Sequence, residues 1–280
     1  MLPNKNEIEA AVKMALTEDI GTGDVTAQLI STTIQGRARL LSRVPAVVCG
    51  QAWVNEVFHQ VNPQINIEWK VKEGDWQAQS CDWAEISGPL RDILTAERTA
   101  LNFLQTLSAV ATKTRDYVQL LKDSNTKILD TRKTIPGLRL AEKYAVLCGG
   151  GQNHRIGLYD EFLIKENHIE AMGSITAAVT SAKAQAKGKP ITVEVQNIQE
   201  LIEARAMLPT RIMLDNFTDE MIREAITINT PKTVAIEVSG GITSSRIQQL
   251  AQFGVDCISV GDLTKSITAI DLSLLVTHQA

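Results

Sequence analysis

In the second half of a 280-residue chain, six short apolar runs each end in residues that can do chemistry: KILDTRK, EFLIKENH, ITVEVQN, RIMLDNF, VAIEVSGG and CISVGD. Their ends supply Asp130, Thr131, Arg132 and Lys133, then Lys165, Glu194, Asp215, Ser239 with Gly240 and Gly241, and finally Ser259 and Gly261. Arg155, with His154 beside it, adds a further cation. Guanidinium forks bind carboxylates and phosphates bidentately, and grouping several cations is unfavourable unless a polyanion joins them. Glycine turns let backbone N–H groups approach a phosphate closely. Glu194 and Asp215 suit sugar hydroxyls or Mg²⁺, which takes oxygen ligands. The pattern predicts two anion sites with a hydroxyl- or metal-binding patch between them. Blander readings stand beside this one. A single strand-end charge is often structural, and His154 can be a hydrogen-bonded interior residue. Gly149-Gly150-Gly151 reads as a loop clearing space or as a tight turn. Arg139 and Lys143, one helical turn apart, read as a solvated face.

Helical stretches such as GSITAAVTSAKAQAK, IQELIEARAML and TDEMIREAIT separate most of these runs. Repeated strand–helix alternation predicts a parallel sheet, and continuously apolar strands predict one covered on both faces. At roughly 20–25 residues per unit, six or seven units fit, short of the eight of a full barrel. The expected architecture is an open, fewer-than-eight-stranded α/β barrel with its site at the C-terminal strand ends. The first part of the chain reads as α+β. EIEAAVKMA and QAWVNEVFHQ are helical, while RARLLSRVPAVVCG and INIEWKVKEGD are strand-like, with Ile65, Ile67, Trp69 and Val71 on one side of the latter. From Leu90 to about Leu121 a long helix is expected, with a possible interruption. Arg98, Asn102 and Gln105 form a polar stripe on it, facing either solvent or a site or subunit interface.

Lys and Arg number 28 against 32 Asp and Glu, a net charge of -4, with 44% hydrophobic residues. That excludes a disordered chain and a nucleic-acid binder driven by bulk charge. No run of about 18 apolar residues predicts a membrane span, and the N-terminus lacks a signal-peptide pattern. The four cysteines, Cys49, Cys81, Cys148 and Cys257, lie far apart without a CxxC pair. That spacing predicts reduced thiols in a cytoplasmic protein rather than zinc or disulfides.

The runs EDIGTGDVT, ERTALNFLQ, LDTRKTIPGLR, EKYAVLCGGGQNHRIGLYDEFLIKENHI, VEVQN, LDNF, EVSGGI and ISVGDLTKS resemble the quinolinate phosphoribosyltransferase family in order, over nearly the whole chain. The resemblance implies an α/β sandwich domain over residues 1–108 with the C-terminal tail 268–280, and an open α/β barrel over 109–267. It implies conversion of quinolinate and 5-phosphoribosyl 1-pyrophosphate to nicotinate mononucleotide, pyrophosphate and CO2 with Mg²⁺. It also implies a homodimer with shared active sites. Arg132, Arg155 and Lys165 would hold the quinolinate carboxylates, helped by Thr131 and His154, and Arg98 would reach the partner's site. Lys133 would meet the pyrophosphate, Glu194 and Asp215 the ribose hydroxyls and metal. Ser239, Gly240, Gly241, Ser259 and Gly261 would cradle the 5-phosphate. Asp262 departs from the family's small residue and is expected to point outward or to bind a helix N-terminus. Rival readings are a molybdenum-transport-associated paralogue, a non-catalytic phosphate-binding barrel, and a Schiff-base enzyme using Lys165.

Overall fold

The structure is a computed structural model and describes residues 1–279. The chain forms two compact units.

The first unit comprises Met1–Arg115, Ile135–Gly150 and the chain from Ser266 onward. The segment 135–150, which the sequence reading assigns to the barrel, folds with this unit instead. Helix α1 (Lys5–Ile20) starts at a capping box: Asn4 accepts the Glu7 N–H while Glu7 accepts the Asn4 N–H. Its buried stripe is Ile8, Val12 and Leu16. Strands β1 (Gln35–Ser42) and β2 (Ala46–Val47) precede α2 (Gln51–Val61), and β3 (Asn66–Trp69), β4 (Trp76–Gln77) and β5 (Cys81–Pro89) follow. The main sheet is antiparallel, in the order Leu272–Gln279, β1, β5, β3. In β3, Ile67 and Trp69 take the inner face as their alternation predicts, but the strand ends before Val71. Strand β5 is absent from the sequence reading. A register shift opposite Leu40 and Leu41 breaks its two-residue period, so its burial does not alternate cleanly.

Helix α3 (Leu90–Gln119) runs uninterrupted for 30 residues. Helix α4 (Arg139–Cys148) overturns the solvated-face reading. Lys143 is 1% exposed and engaged by a partner, and Arg139 is half-buried. Two residues at helical spacing cannot reveal whether their helix is covered on more than one side. The glycine question at 149 is settled by packing. A Cβ at Gly149 would stand 2.3 Å from the Ala111 carbonyl oxygen and 2.6 Å from Thr114 Cβ, so only glycine lets the end of α4 meet α3.

In the second unit, residues 116–134 and 151–265, six parallel strands form one sheet. They are β6 (Lys127–Leu129), β7 (Phe162–Ile164), β8 (Ile191–Val195), β9 (Arg211–Asp215), β10 (Ala235–Ser239) and β11 (Cys257–Ser259). Their order is β6-β11-β10-β9-β8-β7, with β6 and β7 as the end strands of an open barrel. The connections carry α5 (Glu166–Met172), α6 (Ile175–Gln185), α7 (Ile198–Ala206), α8 (Asp219–Ile228), α9 (Ser244–Gln252) and α10 (Asp262–Lys265). Ser174, Asn197, Thr218 and Thr243 cap α6 to α9 by accepting a backbone N–H of the first turn.

One buried acid in α4 gives a pH-dependent expectation. Glu142 is 0% exposed, accepts only the Ile135 N–H, and burial pushes its carboxyl up to about 7. A carboxyl that holds its proton more tightly when folded favours folding at low pH. That contribution is complete below the unfolded value and lost as pH rises through about 7. Glu142→Gln should therefore gain stability relative to the wild type as pH rises from about 4.5 to 8, by up to about 3 kcal/mol. Urea midpoints at each pH would show it; a flat difference would refute it.

Candidate active site

The C-terminal tip of β6 is tied to the chain following α4 by one carboxylate. Asp130, fully buried, accepts the His154 N–H at 2.9 Å and the Asn153 amide at 2.5 Å. A parallel bridge between Leu129 and Gln152 supports the same junction. This sets Thr131, Arg132 and Lys133 beside His154 and Arg155. These five residues share a cavity of about 180 Å³ with Lys165, Glu194, Ser239 and Ser259, while Leu163 and Met213 supply its apolar wall. The Arg132 Nε is buried without a hydrogen-bond partner. Burial, followed by the adjacent Arg132 charge, holds the Arg155 guanidinium below its ordinary value. A buried, unpartnered guanidinium nitrogen beside a second guanidinium forms a site waiting for an anion. Lys165 and Glu194 pair across the tips of β7 and β8 at 2.8 Å. Lys165 is 45% exposed, so it lacks the desolvated pocket that activates a Schiff-base lysine.

A second cavity of about 470 Å³ shares Thr131, Lys133, Ser239 and Ser259 with the first. Its floor is the β10–α9 turn, Gly240 to Ser244, with the α9 N-terminus at Thr243 and Ser244. Gly240 has φ +96°, and a Cβ there would lie 2.2 Å from Asn216 Oδ1, so both conformation and space require glycine. At Gly261 a Cβ would strike Lys133 Cδ at 2.9 Å. Glycine there lets the lysine stem lie across the β11 tip, between the two cavities. Backbone N–H groups at a helix start, with a lysine above them, suit a phosphate. Asp262 does not turn outward: it lines this cavity with Lys265, and its carboxylate accepts the Tyr117 hydroxyl at 3.3 Å. Neither Tyr117 nor Lys265 stands out in the sequence, because each falls outside the strand-end pattern.

Sequence reasoning also misses the support beneath the first cavity. Glu237, in the middle of β10, is fully buried and bonded by Arg211 at 2.5 Å. His154 Nε2 lies 3.5 Å from the same carboxylate. Burial pushes Glu237 up, but His154 and Arg211 outweigh it and hold the carboxyl below its ordinary value. His154 Nδ1 accepts the Arg155 N–H at 2.7 Å and lies 3.6 Å from Glu161, which Thr192 bonds in turn. The signal was available, since a glutamate inside VAIEVS is costly unless paired.

Not every expected residue reaches the cavities. Asp215 is at the same rim, in register with Ser239 and bonded by Asn216, yet lines neither cavity. Arg98 belongs to the first unit, exposed on α3. Among the described residues, no three Asp, Glu, His or Cys ligands converge at the barrel mouth. Glu194 and Asp215, hard oxygen donors on adjacent strands, suit a Mg²⁺ that is held mainly by phosphate oxygens of a substrate.

Comparison with known proteins agrees with this geometry. The N-terminal domain of quinolinate phosphoribosyl transferase matches residues 24–108 and the C-terminal domain of the same family residues 110–275. A Bacillus subtilis (strain 168) protein named "Probable nicotinate-nucleotide pyrophosphorylase (carboxylating)" is 40% identical over 276 residues, covering 98% of this chain and 95% of its own length. The chloroplastic nicotinate-nucleotide pyrophosphorylase (carboxylating) of Arabidopsis thaliana is 37% identical, covering 96% of this chain and 83% of its own. A solved nicotinate-nucleotide pyrophosphorylase structure from Francisella tularensis superposes with a TM-score of 0.95 at 48% identity, covering 98% of each chain. With both domain matches spanning nearly its whole length, the chain belongs to the quinolinate phosphoribosyl transferase family.

Proposed function

We propose that the chain transfers the phosphoribosyl group of 5-phosphoribosyl 1-pyrophosphate to quinolinate with loss of CO2, forming nicotinate mononucleotide and pyrophosphate for NAD synthesis. The observation that carries this reading is the pair Arg132 and Arg155, two cations sharing a small cavity with an apolar wall. A flat ring bearing two carboxylates fits both features, with Thr131, His154 and Lys165 completing its surroundings. The second cavity takes the ribose 5-phosphate on Ser239, Gly240, Gly241, Ser259 and Gly261. Lys133, shared by both cavities, would meet the departing pyrophosphate. Glu194 and Asp215 would hold Mg²⁺, which supplies charge neutralisation of the phosphates when bound. The assembly is read as a homodimer, supported by the exposed Arg98 stripe on α3. A cytoplasmic location accords with four free cysteines.

The residues present account for the steps. Fixing the ring nitrogen in line with ribose C1 removes much of the entropic barrier to attack. As the N–C1 bond forms, the C1–O bond to pyrophosphate breaks, and Lys133 stabilises the charge on the departing oxygens. The C–CO2 bond beside the nitrogen then breaks, leaving its electron pair on a ring carbon in the ring plane. The newly cationic nitrogen stabilises that carbanion, which takes up a proton. A neutral pyridine would stabilise it poorly, so transfer precedes decarboxylation.

Incubation with quinolinate, 5-phosphoribosyl 1-pyrophosphate and Mg²⁺ should yield nicotinate mononucleotide, and rapid quenching should show pyrophosphate no later than CO2. A burst of CO2 ahead of pyrophosphate would refute the order. Arg132→Ala or Arg155→Ala strands a substrate carboxylate beside one remaining cation, at a cost of roughly 2–5 kcal/mol. Steady-state assays should therefore show kcat/KM for quinolinate falling by about 30-fold or more. Mixed dimers of Arg98→Ala and Lys165→Ala subunits should regain activity up to one site per dimer. Verified mixed dimers without regained activity would argue against sharing.

A further inference from the structure

Two thiols and a carboxylate, remote from one another in sequence, meet in the first unit. Cys49 precedes the Gly50 N-cap of α2, Glu73 lies between β3 and β4, and Cys148 ends α4. The two sulfurs and a Glu73 oxygen all lie within 4.8 Å of one another. Cys49 is fully buried, whereas Glu73 and Cys148 are half-buried, so the cluster is reachable from their side. Glu73 is held in place: its oxygens accept the Gly50 N–H at 2.9 Å and the Gln51 N–H at 3.2 Å. Tyr144 stands one turn before Cys148 on α4.

We propose that Cys49, Glu73 and Cys148 form a binding site for a thiophilic divalent cation of the zinc class, with water as the fourth ligand. Metal–sulfur bonds of ~2.3 Å and metal–oxygen bonds of ~2.0 Å in a tetrahedron place ligand atoms about 3.5–3.8 Å apart. The cluster therefore needs only a small inward movement to close on an ion. A carboxylate within reach of both sulfurs adds a third, anionic ligand that a cation can use and a disulfide cannot. Two sulfur ligands select against Mg²⁺ and for a softer ion. Glu73 is oriented by the two N–H groups of Gly50 and Gln51, the outer support that metal ligands need. Metal binding would require deprotonated thiols and so would release the thiol protons to solvent. The three ligands belong to the first unit, so the site is separate from the barrel mouth.

The test uses the full chain, reduced and freed of metal with a chelator. Titration with Zn²⁺ alone against a chromophoric competitor should show one tight equivalent and proton release. Co²⁺ as a probe should give a sulfur-to-cobalt charge-transfer band. Cys148→Ala and Cys49→Ala should abolish the band and weaken Zn²⁺ binding by roughly 100-fold, and Glu73→Gln by about tenfold. Cys81→Ala and Cys257→Ala should leave the band unchanged. Zn²⁺ should raise the Tm of the wild type and not that of Cys148→Ala. If the buried Cys49→Ala variant fails to fold, the half-buried Cys148→Ala decides. Absence of a tight equivalent, or a band that survives Cys148→Ala, would overturn the proposal. Recovery of a Cys49–Cys148 disulfide from the zinc-treated chain would do so too.

Discussion

The buried carboxylate of Asp130 is the constraint on which the barrel mouth depends. It accepts from Asn153 and from the His154 backbone, and so fastens the tip of β6 to a chain segment that belongs to no strand. β6 and β7 are the end strands of the sheet and do not pair with each other, so strand pairing does not close the barrel here; one backbone bridge at Gln152 and the Asp130 carboxylate hold β6 on that side. A fully buried carboxylate is tolerated only when its oxygens are satisfied, and satisfying them fixes where Arg132 and Arg155 stand.

Holding like charges together needs rigidity below them. Arg211 on Glu237 and Thr192 on Glu161 supply it, with the His154 ring held between the two carboxylates. Such an arrangement is weak evidence for stability, because desolvation offsets most of the attraction. What it provides is geometry. Each group has few alternative partners, so the imidazole stays beneath the cavity and its Nδ1 holds the Arg155 backbone. The lysine stem across Gly261 does the complementary task, joining the diacid cavity to the phosphate cavity. A transfer between two anionic substrates needs that adjacency: their reacting atoms must meet while their charges are held on opposite sides.

The sequence made part of this legible. Alternation in INIEW gave the inner face of β3, and six apolar runs with polar ends gave the six barrel strands and their active rim. Strand β5 escaped because a bulge breaks its period, and Lys143 was misread because helical spacing says nothing of what covers a helix. Glu237 carried a usable signal, a charge in an apolar strand, but its partners His154 and Arg211 did not announce themselves. Cys49 and Cys148 looked unrelated, since no local spacing connects the start of α2 with the end of α4.

The sequence by itself determined the repeating order of strand and helix, and hence that the charged strand ends gather at one rim. Chain direction and the right-handed crossover of parallel strands leave no other outcome. Only the tertiary structure decided which side chains meet: Asp130 with Asn153, Glu237 with His154, Cys49 with Cys148. These meetings depend on sheet order, which sets β6 beside β11 rather than β7, and on how each helix is covered. Both follow from the packing of the whole chain, and a local pattern of residues does not encode them.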